Sequence, residues 1–229
     1  MRWLGRNRPE AQPPNDRFGV IVALGVVLVV GAAWLFGGIA EDVVSGDPLV
    51  VVDSIIATWL HAHATNSLTN LMVHISSLGS PWIVASIASV AALLFLWRRL
   101  WFWILMIIVA VPGGALINVA LKYIFQRSRP IGADSLLALT SYSFPSGHAM
   151  AATVLYGTLA LFFTSQVQST RLRLAFSLTA IFVILFVAFS RMYLGVHYLS
   201  DVLAGIAEGI VWLGVSLGIT AYLHGRSAR

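Results

Sequence analysis

LWFWILMIIVAVPGGALINVAL, Leu100 to Leu121, contains no charged side chain. A bilayer core needs about 20 consecutive apolar residues per helix, so this stretch is long enough to cross one. Pro112, Gly113 and Gly114 in its middle predict a kink, which membrane helices tolerate when neighbouring groups satisfy the freed backbone. Five more stretches of similar character lie around it: Phe18 to Ala40, Ser80 to Trp97, Gly147 to about Ser165, Leu174 to Phe189 and Val202 to Leu223. Ser80 followed by Pro81 reads as a cap with proline at the first helical position. The expectation is an all-α, polytopic membrane protein with six transmembrane helices, one integral-membrane domain over residues 1–229, and no internal repeat.

Composition agrees. Of 229 residues, 59% are hydrophobic and 10% charged, against about 25% charged in soluble domains. Mean hydropathy is +0.87, which excludes an ordinary soluble enzyme. The net charge of +5 would suggest nucleic acid in a soluble chain, but most cations here have another use, and no nucleic-acid partner is expected. With no cysteine, disulfides, zinc–thiolate sites and cysteine nucleophiles are ruled out together.

The first span follows basic residues and ends near small ones, as a cleavable signal would, but its length favours an uncleaved anchor. Short basic loops stay in the cytoplasm. Arg2, Arg6, Arg8 and Arg17 precede the first span, Arg98 and Arg99 join the second to the third, Arg171 and Arg173 the fourth to the fifth, and Arg226 and Arg229 follow the sixth. These ten define one face, with Trp97, Trp101 and Trp103 at its interface, and put both termini in the cytoplasm. The segment Glu41 to Gly79 has no Lys or Arg, carries Glu41, Asp42, Asp47 and Asp53, and fits the outer face. Within it, Val50 to Leu60 is apolar but too short to span and reads as an interfacial helix. Four cations are left at outer helix ends: Lys122, Arg127, Arg129 and Arg191.

They belong to three clusters. Lys122 to Pro130 follows the third span, and taken alone it reads more readily as a basic edge reaching for lipid phosphates. In Phe144 to His148, Ser146 is a good N-cap, and the amides after it form an anion site at the positive end of a helix dipole. His148 stands one side-chain length from an anion held there. The third cluster, Ser190 to Asp201, joins the last two spans. If the helix has begun by His197, then His197 and Asp201 share a face at i and i+4, and the carboxylate would fix the imidazole tautomer; a capping pair is an equal reading. What tips the balance is topology, since spans assigned by length and loops assigned by charge bring all three clusters to the same side. Three cations, a helix N-terminus and two histidines describe a phosphate pocket with acid–base groups. No carboxylate cluster is available for a catalytic metal, and no cofactor is expected.

The clusters resemble the three-part signature of the type 2 phosphatidic acid phosphatase superfamily: K-x6-R-P as Lys122 to Pro130, P-S-G-H as Pro145 to His148, and S-R-x5-H-x3-D as Ser190 to Asp201. The resemblance implies a membrane lipid phosphatase. His197 would attack phosphorus while Asp201 holds its ring, and His148 would protonate the leaving oxygen and later activate water. Lys122, Arg129, Arg191, Ser146 and the Gly147 amide would bind phosphate oxygens. Arg127 falls inside the first spacer and is read as a headgroup or lipid contact.

The substrate expected is a lipid phosphate or diphosphate: the terminal phosphate of an isoprenoid (undecaprenyl-type) diphosphate first, then phosphatidylglycerophosphate, phosphatidic acid or a lipid A phosphate. Phosphotransfer to another acceptor is an in-class variant, and a vanadium haloperoxidase is remote for so short a membrane chain. A transporter would explain the spans and a buried Glu208 but not the clusters. The expected location is the cell membrane, with an extracytoplasmic site and no obligate protein partner. Glu208, two turns beyond Asp201, should face the bundle with Asn118, one turn below Lys122, as its partner. His61 and His63 form an H-x-H pair that lacks a third ligand. Val50 to Leu60, with Leu136, Leu137 and Leu139, would line lipid access.

Overall fold

A computed structural model of the chain describes residues 16–46, 48–130 and 141–227. Among them are eight helices and no strand: α1 (Asp16–Ser45), α2 (Pro48–Ala62), α3 (Asn66–Ser77), α4 (Pro81–Trp97), α5 (Trp101–Phe125), α6 (Gly147–Gln166), α7 (Thr170–Tyr193) and α8 (Leu199–Ser227). Arg2, Arg6, Arg8, Arg229 and Leu136, Leu137 and Leu139 lie outside the described residues.

Helices α1, α5, α6, α7 and α8 are each long and apolar enough to cross a membrane. The sixth span differs from expectation. Helix α4 has 17 residues and becomes a span by continuing from α3 through a 42° bend. Helix α3 lies within the outer segment Glu41 to Gly79, where apolar length alone predicts no helix over Asn66–Ser77. The bend sits at Gly79, where a Cβ would meet Val187 Cγ1 at 2.6 Å and the His148 carbonyl at 2.8 Å, so only glycine lets it press against α6 and α7. As expected, Ser80 caps α4, accepting from the Ile83 amide at 3.4 Å, with Pro81 in the first turn.

The surface shows what solvent the fold requires. Trp34 is 83% exposed and Trp82 85%, and Val, Leu and Ile cover the outside of α1 and α7, an arrangement that apolar solvent favours and water does not. The interior includes many small residues, among them Ala110, Ala149, Ala152, Ala204 and Ala207, which let helices approach closely. Helix α5 runs unbroken through Pro112, and the Trp212 indole of α8 lies against Gly113 and Gly114 and donates to the Ala110 carbonyl at 2.9 Å. The expected Glu208 partner is observed: Asn118 Nδ2 donates to Glu208 Oε2 at 2.8 Å inside the bundle.

Two tight turns, Arg98–Leu100 and Val167–Ser169, make α4 antiparallel to α5 and α6 to α7. One end of the bundle therefore collects the α3–α4 bend, the end of α5, the start of α6, the end of α7 and the start of α8. The three clusters are at that end; Arg98, Arg99, Arg171, Arg173 and Arg226 are at the other.

Candidate active site

The end of α5 is set by Gln126, whose left-handed backbone (φ 47°) closes the helix with its amide on the Lys122 carbonyl at 2.9 Å. Lys122, one turn back, donates from Nζ to the Tyr142 carbonyl at 2.6 Å. Arg129 reaches across the gap between clusters. Its Nε donates to the Ser141 carbonyl at 2.9 Å and its Nη1 to the Val196 carbonyl at 2.7 Å, and Nη1 also approaches His197 Nε2 at 3.4 Å. The segment leading to α6 is thus strapped to both the first cluster and the third.

His197 precedes α8 by two residues, so the expected pairing within one helix turn is not how it meets Asp201. The chain turns at Gly195 instead, and His197 Nδ1 still comes 3.3 Å from Asp201 Oδ2. A guanidinium only donates, so the Arg129 contact assigns the lone pair to Nε2 and the proton to Nδ1, facing the carboxylate. Burial pushes the His197 pKa down to about 3, against the opposing pull of Asp201, so the ring is neutral at neutral pH. The Asp201 carboxylate is held on every side: Oδ2 accepts from the Tyr198 amide at 2.9 Å and from the Ser143 hydroxyl, and Oδ1 from Arg127 Nη1 at 2.6 Å.

Ser146 occupies the N-cap position of α6, but its side chain does not cap the helix. Its amide donates to the Asp201 carbonyl at 2.9 Å, and Oγ is buried with no hydrogen-bond partner. Helix α8 packs closely against this backbone, a Cβ at Gly205 coming within 2.5 Å of the Ser146 carbonyl oxygen. Arg191, in the last turn of α7, is 4% exposed; its Nη1 donates to Ser76 Oγ at 2.7 Å, and its Nε is also without a partner. Arg191 lines the cavity at this end of the bundle, and its buried, unpartnered Nε marks a place there for an acceptor-rich group; Ser146 does not line that cavity.

Lys122, Arg129, Gly147, His148, Arg191 and His197 all line one cavity of about 750 Å³. From there it runs down between α4, α5 and α6, along Ala85, Ala88, Ala92, Ile107, Val111 and Val154. This apolar groove, and not the α2 segment Val50–Leu60, is continuous with the polar site.

Arg127 is the clearest correction. It does not face lipid: Nη1 donates to Ser200 Oγ and to Asp201 Oδ1, both at 2.6 Å, and Nη2 to Asp53 Oδ2 at 2.8 Å. Burial opposes its charge, but Asp201 and Asp53 outweigh that and raise its pKa above the usual value. Sequence reasoning also missed Asp53, Ser76, Ser143 and Ser200. For Asp53 a signal existed, a carboxylate inside the apolar run Val50–Leu60; the three serines carried none. His63 stacks on Trp59 at 4.4 Å, and among the described residues no group of three His, Asp or Glu side chains converges as a metal site.

A polytopic helical bundle with a cationic, histidine-bearing cavity at one end is the architecture of a membrane phosphoryl-transfer enzyme. Residues 101–224 match the PAP2 superfamily, and the chain belongs to it. It is 34% identical over 147 residues to phosphatidylglycerophosphatase B of Bacillus subtilis (strain 168), covering 63% of this chain and 71% of that one. It is 29% identical over 161 residues to an undecaprenyl-diphosphatase of Sulfolobus acidocaldarius, covering 67% and 72%. The crystal structure of a transmembrane PAP2-type phosphatidylglycerolphosphate phosphatase from B. subtilis superposes with a TM-score of 0.77 at 27% identity over 86% of this chain and 98% of that one. Aquifex aeolicus LpxE shares the fold, with a TM-score of 0.55 at 20% identity over 73% and 95%.

Proposed function

We propose that the protein is a multi-pass phosphatase of the cell membrane that hydrolyses a lipid phosphomonoester or the terminal phosphate of an isoprenoid diphosphate. The observation that carries this reading is the single cavity in which three cations, a helix N-terminus and two histidines meet an apolar groove. His197 Nε2, which carries the ring's lone pair while Asp201 holds the other side of the ring, attacks phosphorus in place of its long contact with Arg129, as the bond to the leaving oxygen breaks. His148 delivers a proton to that oxygen. It then takes one from the water whose oxygen displaces His197, releasing inorganic phosphate and restoring both rings. Lys122, Arg129, Arg191 and the Gly147 amide, all of which line the cavity, hold the three equatorial oxygens, and such fixed donors supply most of the rate enhancement in phosphoryl transfer.

The basic turns at the opposite end of the bundle support cytoplasmic termini and an extracytoplasmic site. A lipid phosphate would reach that site by lateral diffusion, its chain lying in the groove beside α4 and α5. The isoprenoid diphosphate of the cell-wall carrier fits an outward-facing pocket. Phosphatidylglycerophosphate is the second reading, supported by the 34% identical relative and the 0.77 superposition.

Phosphate release by purified protein from a panel of lipid mono- and diphosphates, with glycerol phosphate as the soluble comparison, tests the proposal. Lipid substrates are expected to exceed glycerol phosphate in kcat/KM by orders of magnitude. Equal efficiency on both would remove the lipid assignment, and no release from any would remove the phosphatase assignment.

A further inference from the structure

Helices α2 and α3 lie outside residues 101–224, yet four polar residue pairs tie them and the turn between them to the site. The Thr65 amide donates to the Tyr193 hydroxyl at 2.9 Å, Arg191 donates to Ser76, and Asp53 binds Arg127 and Ser200. Leu60 of α2 and Met72 of α3 pack on Tyr193, Leu194 and Val196, which shortly precede His197.

Asp53 is the strongest of these ties. It is fully buried, and all three of its bonds lead toward Asp201. Oδ1 accepts the Ser200 amide at 2.9 Å, so a carboxylate from another helix satisfies a first-turn amide of α8. Oδ2 accepts from the Ser200 hydroxyl and from Arg127 Nη2, while Nη1 of the same guanidinium holds Asp201 Oδ1. The guanidinium lies 4.4 Å from the Tyr198 ring centroid, which fixes its plane. Charges therefore alternate along one rigid chain: Asp53 negative, Arg127 positive, Asp201 negative. Without Asp53, Arg127 would keep Asp201 as its one carboxylate partner, and Ser200 would lose the acceptor of its own hydroxyl, so the guanidinium could draw Asp201 away from the imidazole.

We propose that Asp53 is a positioning residue for phosphoryl transfer, holding Arg127 and Ser200 so that Asp201 keeps His197 aimed at phosphorus. Asp53, Arg127, Ser200 and Asp201 do not line the cavity, so the effect falls on the chemical step and not on substrate binding. This inference rests on the phosphatase reading above.

The test is Asp53→Asn, which keeps size and removes charge, in the purified full chain. Misaiming a nucleophile costs up to ~100-fold, so kcat is expected to fall ~10- to 100-fold with KM within about threefold. Vanadate inhibition, which needs an apical bond to the nucleophilic histidine, should weaken by a similar factor, while competitive inhibition by inorganic phosphate holds. In an Arg127→Gln background, Asp53→Asn should cost little more. Ser200→Ala, which only removes a hydroxyl, should lower kcat in the same direction and carries the test if Asp53→Asn does not fold. An unchanged kcat in the variant that folds, losses that multiply in the double variant, or phosphate inhibition that weakens with kcat would each overturn the proposal. If the wild type itself released no phosphate from lipids, the functional reading would fail instead.

Discussion

Replacing Gly205 by alanine is the smallest change that should move the phosphate cradle without touching it. Gly205 lies on α8 one turn beyond Asp201, facing the start of α6. A Cβ there would stand 2.5 Å from the Ser146 carbonyl oxygen, 3.3 Å from the Ser146 carbonyl carbon and 3.2 Å from Ala149 Cβ. The first distance is at least 0.5 Å closer than such contacts come in practice, and the atom in the way is backbone that cannot rotate aside. The first turn of α6 must therefore shift away from α8, stretching the 2.9 Å bond from the Ser146 amide to the Asp201 carbonyl. Overpacking of this kind costs about 1–3 kcal/mol, partly offset by about 1 kcal/mol from alanine's better helix propensity.

The catalytic cost should be larger than the stability cost. Ser146, Gly147 and His148 move together with the turn, and a displacement approaching 1 Å in a preorganised site can cost ~100-fold in rate. Gly205→Ala should thus lose ~10- to 100-fold in kcat/KM on a lipid phosphate while unfolding only slightly earlier in a detergent melt. Gly218, on the same helix, has nothing within 4 Å of where its Cβ would be, so Gly218→Ala should leave activity intact. Wild-type kcat/KM in Gly205→Ala, or an equal loss in Gly218→Ala, would refute the idea that this close approach sets the cradle.

Rapid quench with labelled lipid phosphate should trap acid-labile, base-stable phosphate on His197; label on Ser146 would remove the assigned nucleophile. His197 is neutral in the fold down to about pH 3, whereas an exposed imidazole takes its proton near 6.5. Its contribution to stability is therefore complete above pH 6.5 and is lost as pH falls toward 3, at up to about 1.4 kcal/mol per pH unit, and His197→Asn should flatten that slope in pH-dependent melts. Cysteines placed at Ala133 or Ala138 should react with an impermeant reagent on intact cells while one at Ser169 should not, the reverse pattern putting the site in the cytoplasm. Ala85→Phe, which fills the groove, should lower kcat/KM for long-chain lipids and spare a soluble phosphate ester.

Much of the site is legible in the sequence because charge is scarce in it. With 10% charged residues, any cation not used in assigning the loops stands out, and Lys122, Arg127, Arg129 and Arg191 could be singled out on that ground alone; only the motif resemblance set Arg127 apart from the other three. The spans followed from apolar length. Helix α3 did not, because Asn66–Ser77 mixes Asn, Thr, Ser and His with apolar residues and owes its place to packing on α7. The missing cap bond at Ser146 also lies beyond local sequence: residue preference gave the N-cap position, while α8 packs against its backbone and the hydroxyl is left without a partner.

Buried carboxylates show where the boundary falls. Asp53, Asp201 and Glu208 each sit in apolar sequence, and a carboxylate there obliges a partner. Sequence therefore announces that partners exist. For Glu208 the partner could be named, because Asn118 lies one turn from a residue already assigned to the same end of the bundle. For Asp53 it could not. Arg127 and Ser200 are 74 and 147 residues away, and only the lean of α2 against the start of α8 brings them together. Helix adjacency thus decides which of several possible partners a buried charge takes. Arg127, which the first motif leaves as an unassigned spacer residue, is drawn inward by two carboxylates instead of outward by lipid phosphate, and the third motif's aspartate acquires a counterion that none of the three motifs specifies.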